Sequence, residues 1–392
     1  MTLAGYLEKR IGIVGGGQLG KMMIQEAKKM GIHVTILDPV PNCPAHSIAD
    51  AHIMADFKDE AGLRELAEQS DVLTYEFEHI GVEILQALEE EGHPIYPTPK
   101  SLAVIQNKFL QKEALKNAGL LVPDFLGVEN QEQLRGIGGI LGYPFLLKAC
   151  TGGYDGKGNA LIQRPEDLEE GYRQLGSGKI PLMAEAFVAF EKEISVLACR
   201  GLSGEIVLYP VAENFHQDNI LIETRVPADL SPSVSEKALQ MAYKVMEVFE
   251  GVGMFCVEMF ATHEGEVVIN EVAPRPHNSG HYSIEGCVTS QFEQHIRAIL
   301  GLPLGETTLV RPTVMRNLLG EEGCIGKARV AGVHEALGIP GVKLHVYGKE
   351  ETKPKRKMGH ITVTAQSMEA AAQLAKRAAE QVKILSIEEG TQ

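Results

Sequence analysis

Two glutamates lie inside apolar, strand-like segments in the second half of the chain. Glu258 interrupts Met254–Phe260 and Glu271 interrupts Val267–Ala273. The intervening Thr262–Gly265 is typical of a turn, so the two segments are predicted to pair as a β-hairpin. A carboxylate in such a strand is unfavourable unless a positive charge lies beside it. The hairpin is therefore the first place to look for chemistry.

The spacing of the two glutamates predicts a cation site. If the turn is centred between Glu264 and Gly265, Glu258 and Glu271 lie directly opposite each other, with Cβ atoms roughly 5 Å apart. Two such carboxylates repel, and the pKa of one rises unless a metal neutralises both. Oxygen ligands alone favour magnesium, usually together with nucleotide phosphates. The alternative is a pair of partly exposed glutamates that form ion pairs with lysines.

Composition limits the class of protein. The chain has 392 residues with 44% hydrophobic residues, enough for about two or three domains. Its net charge of -15 argues against nonspecific binding to nucleic acid. The 6 cysteines show no zinc-like spacing, and no apolar segment resembles a signal peptide or a membrane span. We expect a cytoplasmic protein with reduced thiols that binds neither nucleic acid nor membranes.

The N-terminal segment has the pattern of a dinucleotide-binding βαβ unit. The short strand Ile11–Val14 enters Gly15–Gly20, which reads GGGQLG, and a helical segment and a second strand follow before Asp38. The glycines allow a phosphate to approach a helix N-terminus, although many α/β domains use the same turn only for packing.

Acidic residues follow the next strand of this segment, Asp71–Tyr75. Glu76 comes directly after the strand, at the sheet edge where parallel sheets bind ligands. Glu78 fits better as a charge at the start of a new helix. A domain boundary is predicted near Tyr96–Pro99, and residues 100–117 after it are predicted to be helical.

A glycine-rich loop in the middle of the chain predicts a lid over phosphates. Residues 151–159 separate a strand that carries Lys148 from a second strand, Ala160–Gln163. The loop is not a Walker A loop, because Gly158 follows Lys157 and strands flank it on both sides. A tight hairpin turn would need fewer residues and fewer glycines. The backbone N–H groups of such a loop can bind phosphate oxygens.

A second candidate anion site is the basic loop over residues 348–357, between two predicted strands of the C-terminal segment. Such a run is often a solvated hairpin tip. Several cations on one hairpin are also suited to a phosphate monoester.

These features, in this order, resemble the ATP-grasp fold, in which a nucleotide lies between two α+β lobes. Within that superfamily, six motifs narrow the resemblance: IGIVGGGQLGKMM, DVLTYEFEHI, GGYDGKGN, EAFVAFEKEISV, NEVAPRPHNSGHY and KPKRKMGH. Together they are similar to the 5-(carboxyamino)imidazole ribonucleotide synthase family of de novo purine biosynthesis. The resemblance implies an α/β protein with an N-terminal Rossmann-like domain over residues 1–107, an ATP-grasp domain over 108–303 with a lid subdomain over about 108–184, and a small β-rich C-terminal domain over 304–392.

The resemblance implies an ATP-dependent ligase. ATP, bicarbonate and 5-aminoimidazole ribonucleotide would give the carbamate, ADP and phosphate, with magnesium bound and the protein a homodimer. Bicarbonate is a poor electrophile, so it would first take the γ-phosphoryl group as carboxyphosphate, which would then either transfer its carboxyl group or release carbon dioxide beside the amine. Transfer of that kind depends mostly on positioning and charge neutralisation.

The resemblance also assigns the ATP site. Lys108 and Lys148 would hold the ATP phosphates, and the glycine-rich loop would cover them. The backbone after Glu185 would bind adenine, and Glu193 would accept hydrogen bonds from the ribose hydroxyl groups. Glu258 and Glu271 become the metal ligands, but Ala273 replaces the asparagine that many ATP-grasp enzymes carry there, which leaves the ligand set open. The expected ATP contacts are Lys108, Lys148, Gly153, Tyr154, Asp155, Gly156, Lys157, Gly158, Asn159, Glu185, Ala186, Phe187, Val188, Glu193, His216, Asn270 and Glu271.

For the ribonucleotide, the resemblance points to both ends of the chain. Asp155 could orient or deprotonate the attacking amine, and Arg275 could serve bicarbonate or the phosphoryl group. His277 and His281 could instead be structural hydrogen-bonding residues. The expected contacts are Gln18, Glu76, Tyr154, Arg275, His277 and Asn278, with Lys353 and Arg356 on the 5′-phosphate.

Three other functions remain compatible with parts of the pattern. Another ATP-grasp ligase of the purine pathway could use formate in place of bicarbonate. The glycine loop alone would also suit an NAD-dependent oxidoreductase, although hydride transfer does not need the paired glutamates. A noncatalytic nucleotide sensor would leave the basic loop unexplained.

Overall fold

The first domain of the computed structural model is a parallel α/β layer, and the model describes residues 8–153 and 158–387. Its four-stranded sheet has the order β3-β2-β1-β4, and the apolar strands predicted around the glycine loop are confirmed. Parallel strands place their carboxyl ends at one edge, so the glycine loop and Glu76 meet there. The elements are β1 (Arg10–Val14), α1 (Gln18–Lys29), β2 (His33–Leu37), β3 (Ala51–Ile53), α2 (Glu60–Glu68), β4 (Val72–Tyr75), α3 (Val82–Glu90) and α4 (Pro99–Ile105).

The second unit is a small antiparallel sheet with two helices packed on it. Its four strands have the order β5-β8-β6-β7, and an apolar cluster joins them to the helices. The glycine-rich loop joins β6 to β7, as predicted. From residue 108 the elements are α5 (Lys108–Asn117), whose Leu115 packs in the apolar cluster of the large sheet described next, β5 (Phe125–Val128), α6 (Gln131–Leu141), β6 (Phe145–Ala149), β7 (Asn159–Ile162), α7 (Leu168–Gln174) and β8 (Leu182–Ala186).

The largest layer is a nine-stranded sheet that contains the predicted hairpin. Its order is β14-β13-β9-β11-β12-β15-β19-β17, with β10 paired to β9. Every described pairing in it is antiparallel. The elements before the C-terminal segment are β9 (Lys192–Arg200), β10 (Ile206–Leu208), β11 (Ala212–Gln217), β12 (Ile220–Val226), α8 (Pro232–Phe249), β13 (Gly253–Ala261), β14 (Val267–Ala273), α9 (Ser283–Gly286) and α10 (Gln291–Ile299).

The C-terminal segment extends this same sheet. Three of its strands continue the order beyond β12, and the others form a three-stranded sheet in the order β18-β16-β20. The boundary predicted at residue 303 thus divides strands that lie in one sheet. Among the described residues, none of the helices is long and apolar enough to cross a membrane. The elements are β15 (Thr313–Leu319), β16 (Gly326–Ala331), α11 (Val333–Leu337), β17 (Val342–Val346), β18 (Glu351–Thr352), β19 (Lys357–Thr364), α12 (Met368–Gln381) and β20 (Lys383–Ser386).

The two faces of the large sheet differ in polarity. On one face, strand residues such as Val196 and Val257 pack in an apolar cluster with the buried side of α8. Residues paired across strands share a face, so a row of polar side chains runs along the other face. The register places on that face Glu271, Glu258, Ser195, Asn214, Thr224, Asn317, His360 and His345.

Candidate functional site

The hairpin of β13 and β14 places Glu258 directly opposite Glu271, which confirms the predicted pairing. The turn that leads to this pairing differs from the predicted one. The Thr262 N–H donates to the Glu266 carbonyl oxygen at 2.9 Å, which closes a three-residue loop and shifts the turn from its expected centre. A β-bulge at Asn270 then adds one residue to β14 and restores the opposition.

The two carboxylates differ in their environment. Lys108 Nζ lies 2.7 Å from Glu271 Oε2. Burial alone would raise the pKa of Glu271, but the charge and hydrogen bond of Lys108 hold that pKa below its ordinary value. Burial and the neighbouring Glu271 charge raise the pKa of Glu258 to about 7. Glu271 therefore has a cation in direct contact, whereas the charged form of Glu258 is not fully compensated by its surroundings.

Lys108 reaches this position because of a break in the predicted helix. Residues 100–117 were predicted to be helical, and this is confirmed except for a break: α4 ends at Ile105 and α5 begins at Lys108. Asn107 adopts an extended conformation and its side chain accepts from the N–H groups of Phe109 at 3.0 Å and Leu110 at 3.3 Å. This N-cap starts a new helix and directs its first side chain toward the hairpin.

A buried ion-pair triad lies next to the hairpin. Glu185 Oε1 is 2.6 Å from Lys148 Nζ, and Glu185 Oε2 is 2.9 Å from Lys112 Nζ. Burial would raise the pKa of Glu185, but the two lysines outweigh it and lower that pKa, while burial lowers the pKa of Lys112 to about 8. The Glu185 side chain is thus engaged within the protein, and so is the next backbone N–H, because Ala186 donates to the Asp124 carbonyl oxygen at 2.8 Å.

Lys112 was not among the predicted site residues. It lies on α5 one turn after Lys108, a spacing that places the two side chains on one helix face. That spacing is the signal in the sequence that could have identified it.

The connection between β8, which ends at Ala186, and β9 carries Phe187 and Val188 and lies beside the hairpin turn. The Glu191 N–H donates to the Ala261 carbonyl oxygen at 2.8 Å. Phe190 stacks on Phe260 of β13, with ring centroids 4.6 Å apart and planes 11° from parallel. These two aromatic rings, which the sequence analysis did not single out, hold the connection against the sheet.

Glu193 and His216 form an ion pair on adjacent strands. Burial would lower the pKa of His216, but the hydrogen bond and charge of Glu193 outweigh it, so this pKa is raised. The structure therefore brings the predicted nucleotide contacts of β9 and β11 together on the polar face of the sheet.

The described ends of the glycine-rich loop are held next to Lys148. The Ala149 N–H donates to the Gly158 carbonyl oxygen at 2.8 Å, and Asn159 pairs with Lys148 in the register of β6 and β7. Gly158 has φ of +87°, a conformation that favours glycine. Gly153 is described, whereas Tyr154, Asp155, Gly156 and Lys157 lie outside the described residues.

In the first domain, the glycine loop is occupied by the protein's own carboxylates. Glu76 Oε2 accepts from the Gly20 N–H at 2.7 Å, and Oε1 accepts from the Gly17 N–H. Asp38 Oδ2 accepts from the Gly16 N–H at 2.8 Å. The loop amides that would hold a dinucleotide pyrophosphate are therefore already hydrogen-bonded. Gln18, the first residue of α1, is partly exposed beside them.

The segment after β14 contacts the first domain through Arg275. Its Nε lies 2.8 Å from Glu78 Oε1, and both side chains are under one-fifth exposed. Burial would lower the pKa of Arg275, but the charge of Glu78 outweighs it and raises that pKa. The prediction that Glu78 begins a helix is wrong, because α3 starts at Val82 after Gly81. Glu78 instead fixes the guanidinium of a predicted catalytic residue.

Three comparisons with known proteins identify the family. Residues 8–106 match the Ribonucleotide synthetase preATP-grasp domain, residues 113–292 the ATP-grasp domain, and residues 313–374 the Phosphoribosylaminoimidazole carboxylase C-terminal domain. The N5-carboxyaminoimidazole ribonucleotide synthase of Bacillus subtilis is 44% identical over 91% of this chain and 91% of that protein. The chain belongs to the N5-carboxyaminoimidazole ribonucleotide synthase family.

Solved structures of synthase relatives agree over nearly the whole chain. The N5-carboxyaminoimidazole ribonucleotide synthetase of Thermotoga maritima has a TM-score of 0.88 and 48% identity and covers 97% of this chain and 100% of its own. The synthase of Aspergillus clavatus in complex with ADP and 5-aminoimidazole ribonucleotide has a TM-score of 0.89 and 35% identity, covering 96% and 98%. The chain is an ATP-dependent ligase of purine biosynthesis with an ATP-grasp fold, which removes the oxidoreductase and sensor alternatives.

Two further predicted site residues, His277 and Asn278, lie on the segment after β14. The His277 N–H donates to Gln291 Oε1 at 2.9 Å, and the Nδ1 atom of His277 lies 2.9 Å from Ser279 Oγ. Asn278 and Asn317 exchange amide hydrogen bonds of 3.0 and 2.6 Å. Both side chains have structural partners, and contact with the ribonucleotide stays a prediction.

The basic loop of the synthase lies next to α1. Lys21 Nζ donates to the Tyr347 carbonyl oxygen at 2.9 Å, which holds the start of this loop against the first domain. Lys353 is exposed, and Arg356 Nη1 donates to the Glu351 carbonyl oxygen at 2.7 Å. The loop thus brings cations to the same side of the molecule as the glycine loop and Gln18.

Proposed function

We propose that this chain carboxylates the amine of 5-aminoimidazole ribonucleotide with bicarbonate, coupled to conversion of ATP to ADP and phosphate. The opposition of Glu258 and Glu271 beside Lys108 is the observation that carries the proposal. It supplies the balance of carboxylates and cations that phosphoryl transfer to a weak nucleophile needs. The Aspergillus clavatus relative, solved with ADP and the ribonucleotide, supports the choice of substrates.

The paired glutamates fit magnesium. Within residues 8–153 and 158–387 no group of three or more His, Cys, Asp and Glu side chains is arranged to hold a metal, so a metal here takes further oxygen ligands from phosphate or water. The raised pKa of Glu258 supports a site that lacks one positive charge. When bound, magnesium neutralises phosphate oxygens during transfer of the γ-phosphoryl group.

The protein's own cations complete the phosphate site. Lys108 and Lys148 each hold an ammonium group beside a carboxylate, and both groups belong to one cluster with Glu185 and Glu271. The glycine-rich loop that starts after Lys148 covers the phosphates, and the connection after Glu185 binds adenine. Glu193, which forms an ion pair with His216, accepts hydrogen bonds from the ribose hydroxyl groups.

The reaction proceeds in two transfers. A bicarbonate oxygen attacks the γ-phosphorus, the bond to the ADP oxygen breaks, and carboxyphosphate forms. The amine nitrogen of the ribonucleotide then attacks the carboxyl carbon, the carbon–oxygen bond to phosphate breaks, and one amine proton is lost. Arg275, fixed by Glu78, stabilises the charge on the carboxyl or phosphoryl oxygens, and Asp155 accepts or orients the amine proton.

The ribonucleotide lies between the first domain and the basic loop in this proposal. Gln18 contacts it from the glycine loop, Glu76 from the end of β4, Tyr154 from the lid, and His277 and Asn278 from the segment after β14. Lys353 and Arg356 hold its 5′-phosphate. A cytoplasmic homodimer is the expected form, which sedimentation velocity and subcellular fractionation test.

An ADP-release assay tests the function. ADP formation is measured with the ribonucleotide and either bicarbonate or formate, each with and without magnesium, and the product is identified by mass spectrometry. Turnover that requires bicarbonate, magnesium and the amine together supports the proposal. Product formation only with formate would transfer the assignment to a formate-dependent ligase.

A further inference from the structure

The strand that carries Glu271 is the edge strand of the nine-stranded sheet. On its open side, β14 contacts residues outside the sheet instead of another strand. Gln111 of α5 donates through Nε2 to the Val272 carbonyl oxygen at 2.9 Å and accepts through Oε1 from the Val272 N–H at 2.8 Å. This amide therefore makes the two hydrogen bonds that a neighbouring strand would make with Val272.

Lys112 contacts the same strand two residues earlier. Its Nζ donates to the Asn270 carbonyl oxygen at 2.9 Å, at the bulge itself. Gln111 and Lys112 are each 2% exposed, so water does not compete for these contacts. The Ile269 N–H donates to the Leu121 carbonyl oxygen at 2.9 Å, which continues the row of contacts. The edge is thus fixed on both sides of Glu271.

The bulge decides which face of the sheet Glu271 occupies. Val267, Ile269 and Val272 all belong to the apolar cluster beneath the sheet, a spacing of two and then three residues. In a strand without a bulge, side chains alternate with a period of two, and Glu271 would share the face of Ile269. The extra residue, Asn270, returns Glu271 to the polar face opposite Glu258.

We propose that Gln111 and Lys112 are positioning residues that hold the bulge at Asn270 and so keep Glu271 in register with Glu258 for metal binding. The inference rests on the proposed function of this glutamate pair. Neither residue needs to touch the metal or a substrate for this role. Gln111 is the more specific of the two, because Lys112 also contacts Glu185 of the buried triad.

Gln111→Met tests the role, since methionine has similar length and volume but makes neither hydrogen bond with Val272. Turnover is measured against free magnesium at saturating ATP, bicarbonate and ribonucleotide, and separately against the ribonucleotide. Hydrogen exchange of the peptide over residues 267–273 is followed without ligands. Lys112→Met is the second variant, and Lys116→Met is the matched control, because Lys116 lies on the same helix but is exposed.

We expect Gln111→Met to raise the apparent magnesium constant about 10- to 100-fold, with the ribonucleotide constant unchanged within about twofold. Exchange at residues 267–273 should be faster than in the wild type, because the Val272 N–H loses its acceptor. Lys112→Met should show the same magnesium effect and also a higher ATP constant. Lys116→Met should match the wild type in every measurement.

A general loss of folding would lower turnover but would change neither the apparent magnesium constant nor the ribonucleotide constant. A rise in the magnesium constant alone therefore identifies a positioning role. If Gln111→Met does not fold, Gln111→Glu retains the acceptor for Val272 and should give a smaller rise in the magnesium constant. A magnesium constant and exchange rate equal to those of Lys116→Met would overturn the inference. Wild-type turnover that is independent of magnesium would instead contradict the proposed function of the glutamate pair.

Discussion

Arg275 and Glu78 are separated by almost two hundred residues in sequence, yet their Nε and Oε1 atoms lie 2.8 Å apart. The ion pair joins the segment after the hairpin to the first domain. Both side chains are mostly buried, so the guanidinium has one well-defined orientation. A group proposed to stabilise the reacting oxygens is thereby placed from outside the ATP-grasp domain.

Glu78→Gln should lower both stability and activity. The variant leaves the Arg275 charge without its partner, and we expect the free energy of unfolding to fall by about 1–3 kcal/mol. Turnover should fall roughly 10- to 100-fold, because the guanidinium is no longer held in place. Urea denaturation and ADP release measure the two effects. Glu83→Gln, an exposed position on α3, is the control and should change neither quantity.

Glu271→Gln should reduce ATP turnover by roughly 100-fold or more while the protein stays folded. The substitution removes one charge of the proposed metal-binding pair with little change in volume, and it also removes the negative charge that pairs with Lys108. ADP release across a magnesium titration is the measurement, with circular dichroism as the check on folding. If Glu271→Gln turned over as fast as the wild type at limiting magnesium, the metal role of Glu271 would be refuted.

The stability contribution of His216 should depend on pH. Glu193 raises the pKa of His216 above its ordinary value near 6.5, so the ion pair contributes fully below pH 6.5 and is lost as pH rises through the higher native pKa. Glu258 and Lys357 also act on this histidine, with opposite signs. His216→Gln should therefore cost about 1 kcal/mol at acid pH and less at alkaline pH.

Urea denaturation at about pH 5.5 and about pH 9 measures this difference for the histidine variant. His263→Gln is the control, because His263 is 69% exposed and lies 3.8 Å from Glu191. A His216 effect that is equal at both pH values, or larger at the alkaline one, would contradict the sign.

Lys353→Ala should raise the Michaelis constant for the ribonucleotide by roughly 10-fold and leave that for ATP unchanged. A cation that holds a phosphate remote from the reacting atoms contributes mainly to binding. Lys355→Ala is the matched control in the same loop, since Lys355 forms its ion pair with Asp218 at 2.8 Å. A change in the ATP constant alone would exclude the phosphate role.

Gly20→Ala should destabilise the first domain. A Cβ atom there would lie 2.6 Å from the Gly15 carbonyl oxygen and 3.4 Å from Glu76 Oε2. We expect the free energy of unfolding to fall by about 1–3 kcal/mol in urea denaturation. Gly136→Ala on α6 is the control: it meets no atom within 4 Å and should stabilise the protein by about 0.5 kcal/mol. Equal effects at the two positions would mean that close packing at Gly20 is unimportant.

Local patterns in the sequence predicted much of this site. The apolar strands around Gly15–Gly20 and the opposition of Glu258 and Glu271 follow from alternation and turn chemistry within short segments. The bulge at Asn270 was not predicted, although the spacing of the apolar residues Val267, Ile269 and Val272, two residues and then three, indicates it. A period of two was assumed throughout the strand, and a compensating error in the turn centre gave the correct pair.

The residues that the sequence analysis missed depend on contacts between distant segments. Gln111 has no distinctive local pattern, and Lys112 has only its spacing from Lys108; the importance of both comes from the edge of β14, well over a hundred residues later. Glu78 was interpreted as part of a helix start from the residues next to it in sequence, whereas its ion-pair partner, Arg275, lies in another domain. Single-sequence patterns carry no information about such pairs, since they report periodicity and caps within one element.

The continuous sheet from β14 to β17 has a consequence for protein engineering and for evolution. A chain cut before β15 would leave β12 with a full row of unpaired backbone groups, a template for aggregation. The C-terminal segment is therefore not an interchangeable module that could be grafted alone onto another ligase to change its acceptor. Any exchange would have to transplant the strand edge together with the loop.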